Sequence, residues 1–161
     1  MELLDIIDEK DQIIGCASRD DVYRQLLSHR IVHILVFNKN GEMILQKRSP
    51  KVSFCPGHWS TAAGGHVLTG EDYETAARRE YLEELGVKSD LKFVEKIFYD
   101  VPNTPNKFLA IFETRFDGTF NCESMEVSEI RPFCIKDIKN MVDKGEKFHP
   151  ELKFILEKYY F

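Results

Sequence analysis

Residues 65–87 read GHVLTGEDYETAARREYLEELGV, and the spacing inside this stretch decides how the chain folds. Gly65, Glu71, Arg79, Glu80, Glu83, Glu84, Gly86 and Val87 stand in the pattern G-x(5)-E-x(7)-R-E-U-x-E-E-x-G-U, where U is a bulky apolar residue. Thr69, with Asp72 three residues later, predicts a capping box that has aspartate in place of glutamate. No proline interrupts the run to Leu85, and Gly86 sits where a left-handed helix stop is expected. At about 100° per residue, Glu80, Glu83 and Glu84 project within a wedge of roughly 100°. Arg79 lies four residues before Glu83, the spacing of an exposed helical ion pair. Three carboxylates this close repel one another unless something positive sits among them. Hard oxygen donors at this density suit Mg2+ or Mn2+.

A solvated acidic helix face is the plain alternative for a run such as REYLEEL. Two features speak against it. Tyr73, Ala77, Tyr81 and Leu85 form the apolar stripe, and the glutamates border that stripe instead of opposing it. The flanking glycines also keep their places, which a solvated face does not require. Gly64 and Gly65 permit a close backbone approach or a positive φ, which frees a carbonyl to act as a ligand. At ordinary residue frequencies, seven such identities arise by chance on the order of 10⁻⁸ times per register. The stretch resembles the signature of the Nudix hydrolases, enzymes that cut a diphosphate linkage with the help of divalent metal ions. Tyr81 stands where that signature usually has an aliphatic residue, a departure that touches packing.

Length and composition fit one globular domain, residues 1–161: hydrophobic residues are 43% and charged residues 30% of the chain. Net charge is −5 with the basic residues scattered, which argues against nucleic acid as a partner. Cys16, Cys55, Cys122 and Cys134 show no metal-binding spacing and read as reduced thiols of a cytoplasmic protein. No apolar run approaches membrane length and no leader pattern opens the chain, so no membrane partner is expected.

Outward from the central stretch, Leu3 to Ile7 and Gln12 to Cys16 read as two short strands. Ser18, with Asp21 three residues on, caps a short helix through Leu27. Residues 1–29 thus form a hairpin and helix packed on the rest. Arg30 to Phe37 is a dense apolar strand, Asn40-Gly41 a hairpin turn, and Glu42 to Gln46 the partner strand. Ser49 to Gly64 reads as a loop rich in Pro, Gly and Ser. Leu91 to Val101, Lys107 to Phe116 and Val127 to Phe133 are strands; Ile135 to Val142 and Pro150 to Tyr160 are helices. This is a mixed α/β domain. The resemblance implies more: a Nudix-type α/β/α sandwich with a mixed sheet and a central catalytic loop-helix.

It also implies roles. Glu80, Glu84 and the Gly64 carbonyl become ligands of Mg2+ (or Mn2+), and Glu83 a ligand or general base. Arg79 and Glu71 orient the carboxylates, and Glu126 or Glu129 supplies an additional glutamate from outside the box. From the residues themselves, Lys47 and Arg48 at a strand end are phosphate contacts, and His66 a substrate or metal contact. Trp59 and Phe54, on the loop ahead of the box, are core residues or a platform for a nucleobase. His33, alternating within its strand, is packed.

The opening LLDIIDEKDQIIGCASRDDVYRQLLSHR and the later PGHWSTAAGGH resemble the branch that contains isopentenyl-diphosphate isomerase. Gly64 stands where the isomerase needs a cysteine. His66 and His29 match two of its metal histidines, but Val22 replaces a third, and no Glu-x-Glu lies near Asn106-Lys107-Phe108. The leading expectation is a metal-dependent pyrophosphohydrolase acting on a small-molecule diphosphate, a nucleoside diphosphate linked to another moiety. An isomerase-like enzyme and a non-catalytic nucleotide-binding module are the alternatives. A homodimer is compatible with all three readings.

Overall fold

The computed structural model describes residues 1–122 and 125–161. The chain runs β1 (Leu3–Ile7), β2 (Ile13–Ser18), α1 (Arg19–Gln25), β3 (His29–Phe37), β4 (Met43–Arg48), β5 (Trp59–Thr61), β6 (Ala63–His66) and α2 (Tyr73–Leu85). It continues through β7 (Lys92–Tyr99), β8 (Lys107–Arg115), β9 (Val127–Phe133), α3 (Ile135–Asp143) and α4 (Pro150–Tyr159).

β3 is the axis of the sheet. Its apolar run is buried on both faces, as a strand with a parallel neighbour requires, and it pairs in parallel with β8 along its whole length. Side chains alternate across it. Val32, Ile34 and Val36 pack with Ala76, Ala77, Tyr81 and Leu85 of α2. Ile31 and Leu35 pack on the other face with Ile138 of α3 and Leu152, Ile155 and Leu156 of α4. Helix, mixed sheet and helices make the α/β/α sandwich that the resemblance implied.

The other edge of β3 is divided, and this division makes room for the site. Val36 and Phe37 pair with β4, while Ile31 to Ile34 pair with β6. β4 then splays away and pairs with β5 from Leu45 to Lys47, while β9 runs along its other edge. The expected loop from Ser49 to Gly64 therefore ends in two short strands that turn a corner at Ala62 and fill the splay. Their sequence, WSTAAGGH, is too short and too small for strand periodicity to reveal them.

α2 starts later than the expected cap. Asp72 is the N-cap, its side chain accepting from the Thr75 N–H at 2.8 Å. Thr69 instead bonds through its backbone N–H to the Leu3 carbonyl. Gly86 ends the helix in the left-handed region, φ 67°, as expected. β1 and β2 form a separate two-stranded sheet. Buried Asp11 ties it to the body, accepting from Arg30 at 2.7 Å, Lys96 at 2.8 Å and the Tyr73 hydroxyl at 2.8 Å. No helix among the described residues is long and apolar enough to cross a membrane.

Candidate active site

The carboxylates of α2 meet the glycines of β6. The Gly64 N–H donates to Glu84 Oε2 at 2.7 Å, and Gln46 Nε2 lies 3.4 Å from Glu84 Oε1. A Cβ on Gly65 would sit 2.4 Å from Glu80 Oε1, so a side chain at 65 would displace that carboxylate. Glu80 and Glu84 thus face one backbone segment that only glycine lets this close. Burial pushes the Glu80 carboxyl up to about 7, although Arg79 beside it pulls the other way. Burial pushes Glu84 up to about 8, and the charge of Glu80 adds to it. Two acids held this reluctant to ionise are a place where a cation would be stabilised.

Arg79 is the hub of the second group. Its Nε and Nη2 form a fork on Glu71, at 2.6 and 2.9 Å, while Nη1 reaches Glu80 at 2.9 Å and Nη2 the His66 carbonyl at 3.0 Å. The expected pair with Glu83 is its longest contact, 3.4 Å, to a side chain 60% exposed. Glu71 precedes the helix, so helical spacing could not reveal it as the main partner. The Arg79 hydrogen bonds hold the Glu71 carboxyl below the usual range.

The remaining expected contacts divide by sheet face. Gln46 points toward Glu84, and Arg48, two residues on, shares that face and donates to the Phe54 carbonyl at 2.9 Å. Lys47 points the other way, its ammonium 5.4 Å from the Trp59 ring centroid. Trp59 is not a surface platform: it is 4% exposed and packs edge-on against Phe133 at 5.1 Å. Glu129 lies opposite Lys47 in the β4–β9 register and pairs with Arg131 at 2.9 Å, on the face away from Glu84. Glu126 immediately precedes β9, its carbonyl accepting from the Ser49 N–H at 2.8 Å.

His66 turns away from the carboxylates. Its Nε2 is 2.7 Å from the Tyr23 hydroxyl, and its ring stacks on His29 at 5.5 Å. Burial, reinforced by Arg19, drives its pKa down to about 3, so at neutral pH it offers a neutral hydrogen-bonding ring. Tyr23 and Gln46 were missed at the sequence level. Gln46 had a signal, a polar side chain that directly follows the apolar run Met43-Ile44-Leu45 within one strand.

Among the described residues, no three His, Cys, Asp or Glu side chains converge into a closed cage. That is compatible with magnesium, which takes one or two carboxylates and completes its shell with water and substrate phosphate. Buried carboxylates facing a backbone corner are a hard-oxygen donor set that fits Mg2+ or Mn2+.

The family model for the NUDIX domain matches residues 27–153. An uncharacterized Nudix hydrolase of Pseudomonas aeruginosa is 35% identical over 131 residues, covering 81% of this chain and 77% of its own. YfcD of Escherichia coli, also described as an uncharacterized Nudix hydrolase, is 32% identical over 151 residues, 93% of this chain and 82% of its own. Among solved structures, DR0079 from Deinococcus radiodurans superposes with a TM-score of 0.86 at 25% identity, covering 99% of this chain and 100% of that one. The NUDIX domain of Shewanella oneidensis NrtR, complexed with ADP ribose, shares the fold with a TM-score of 0.63 at 14% identity, over 80% and 83% of the two chains. A family model spanning most of the chain and relatives above 30% identity make this protein a member of the Nudix hydrolase family, a pyrophosphohydrolase.

Proposed function

We propose that the protein is a divalent-metal-dependent hydrolase that cleaves the diphosphate linkage of a nucleoside diphosphate joined to another moiety. The observation that carries this reading is the placement of Glu80 and Glu84. Both are largely buried, both face the Gly64–Gly65 segment, and both are held well above the ordinary carboxylate range. In this reading Glu80, Glu84 and the Gly64 carbonyl hold Mg2+ or Mn2+. When bound, such an ion shields the diphosphate charge and lowers the pKa of water at the reacting phosphorus. Glu83, the most exposed acid of the box, is free to take a proton from the attacking water or to join the ligands. Arg79 anchors Glu80 while gripping Glu71, which fixes the helix face against the loop before it. Arg48, on the Gln46 face, is the strand-end cation whose charge acts on Glu84, and so the better phosphate contact. Glu126 is a better candidate than Glu129 for the additional glutamate, because Glu129 shares its face with Lys47 and Arg131.

The isomerase alternative is disfavoured by steric room. A Cβ at residue 64 would meet the Val32 carbonyl at 2.7 Å, so the cysteine that reaction needs would have to push two paired strands apart. A panel of nucleoside diphosphate derivatives, incubated with the protein and Mg2+ and assayed for phosphate-bearing products, tests the reading. Binding without turnover across the panel would favour a nucleotide-binding module instead.

A further inference from the structure

We propose that Thr61, His33 and Glu151 form a positioning relay that holds the β5–β6 corner, and with it the Gly64 carbonyl, in place against the acids of α2. The inference rests on the reading of that carbonyl as a metal ligand.

The relay begins where α4 begins. His149 caps the helix, its Nδ1 accepting from the Glu151 N–H at 3.1 Å, and Pro150 supplies the first helical residue. Glu151 therefore stands in the first turn, where the helix favours a negative charge, yet it is only 4% exposed. Its carboxylate accepts from Lys107 Nζ of β8 at 2.8 Å and from His33 Nε2 of β3 at 2.9 Å. On the other side of the ring, His33 Nδ1 is 2.9 Å from Thr61 Oγ1, which is 3.2 Å from the Ala63 carbonyl. Thr61 and His33 are 1% and 4% exposed.

The protons can be followed along the row. Glu151 and the Ala63 carbonyl only accept. When Nδ1 carries a proton, the Thr61 hydroxyl accepts from it and donates to Ala63, so each contact has one donor and one acceptor. When Nδ1 is bare, the hydroxyl turns to it. In both arrangements the hydroxyl couples the corner to His33.

The far end of the relay abuts the site. His33 and Gly64 are partners in the β3–β6 register, and a Cβ on Gly64 would lie 3.4 Å from His33 Nδ1 and 3.5 Å from Thr61 Oγ1. From the opposite face, the Gly64 N–H is held by Glu84 at 2.7 Å. β5 has three residues and β6 four, so the corner between them rests on side-chain bonds: Gln46 Nε2 donates to the Ala62 carbonyl at 2.9 Å from the α2 face, and the Thr61 hydroxyl is its tie on the other. Packing alone does not require it: apolar side chains of similar volume would fill the same space without desolvating charge.

Binding of Mn2+ alone, followed by electron paramagnetic resonance on the full chain, tests the relay without a substrate. Thr61→Val keeps the shape and removes the hydroxyl, and should weaken Mn2+ binding about tenfold, as loss of a ligand-orienting group does. Thr61→Ser keeps the hydroxyl and should bind within about threefold of wild type, well inside that loss. Equal weakening in both variants, or wild-type affinity in Thr61→Val, would overturn the relay. Should Thr61→Val fail to fold, Glu151→Gln carries the same test, and unchanged Mn2+ affinity there would overturn it too. Glu84→Gln separates the relay from the reading beneath it. Mn2+ binding that survives Glu84→Gln sinks the metal assignment and the relay together, whereas binding lost in Glu84→Gln but intact in Thr61→Val sinks the relay alone.

Discussion

Arg79→Lys removes a planar fork and leaves a point charge, and the contacts of Arg79 say what that should cost. A surface ion pair with Glu83, the arrangement helical spacing suggests, would contribute less than about 1 kcal/mol. The guanidinium instead donates twice to Glu71, once to Glu80 and once to the His66 carbonyl, all at 3.0 Å or less, with its side chain 23% exposed. Lysine can keep one or two of these four contacts, because its three N–H groups diverge from one atom. Losing two hydrogen bonds to charged groups, at about 1.5 kcal/mol each before solvent discounts them, gives a loss of about 2–3 kcal/mol. For a domain of this size that lowers the melting temperature by roughly 5–10 °C. Thermal denaturation followed by circular dichroism, with chelator present, measures it directly. A double-mutant cycle locates it: the coupling of Arg79 to Glu71 should exceed about 1 kcal/mol, while its coupling to Glu83 stays below about 0.5 kcal/mol. A melting temperature within a degree or two of wild type, or the larger coupling to Glu83, would refute the reasoning.

Glu84→Gln preserves size and the acceptor for the Gly64 N–H, so the fold should survive while turnover of the substrate found by the panel falls at least about a hundredfold; near-normal hydrolysis would remove Glu84 from the site. Gly64→Cys should cost about 1–3 kcal/mol of stability, because its Cβ meets the Val32 backbone carbonyl at 2.7 Å, and should give no isomerisation of isopentenyl diphosphate. Burial drives the His29 pKa down to about 4. The unfolded chain therefore takes up a proton near pH 6.5 that the folded chain refuses, and the histidine's contribution is complete above pH 6.5 and lost as pH falls toward 4. Glu80 and Glu84 push the total in the opposite direction, so the test is the difference between wild type and His29→Gln. That difference should shrink by about 1.5 kcal/mol from pH 6.5 to 5 in denaturant titrations, and a constant difference would show that His29 does not titrate as its burial dictates.

The central helix was legible because its chemistry is local. Helical spacing alone places Glu80 and Glu84 on one side, and Gly86 alone announces the stop. Contacts that leave the helix were not legible. Glu71 lies before the first turn, so the periodicity that suggested Glu83 as the partner of Arg79 could not reach it. Lys47 and Arg48 look equivalent as neighbouring cations, yet strand alternation sends them to opposite faces. That division could have been read from Met43, Leu45 and Gln46, had the burial of each face been known. Trp59 looked available because its loop is rich in small and turn-forming residues; the short strand that buries it forms through distant pairing, with β4 on one side and a bridge to Phe148 on the other.

His33 and Glu151 mark the limit of local reading most clearly. The histidine was expected to be packed, and it is, but its partner lies 118 residues away at the start of a helix whose apolar spacing advertises only Leu152, Ile155, Leu156 and Tyr159. A glutamate in the first turn of a helix is ordinary for capping reasons alone, and nothing in its neighbours announces burial. What distinguishes Glu151 is the sheet beneath it: β3 and β8 run parallel, and their shared face brings His33 and Lys107 under one helix terminus. The acids of α2 and the network under α4 therefore approach Gly64 from opposite faces of the same sheet. That convergence follows from the split edge of β3, which leaves the β5–β6 corner within reach of both faces.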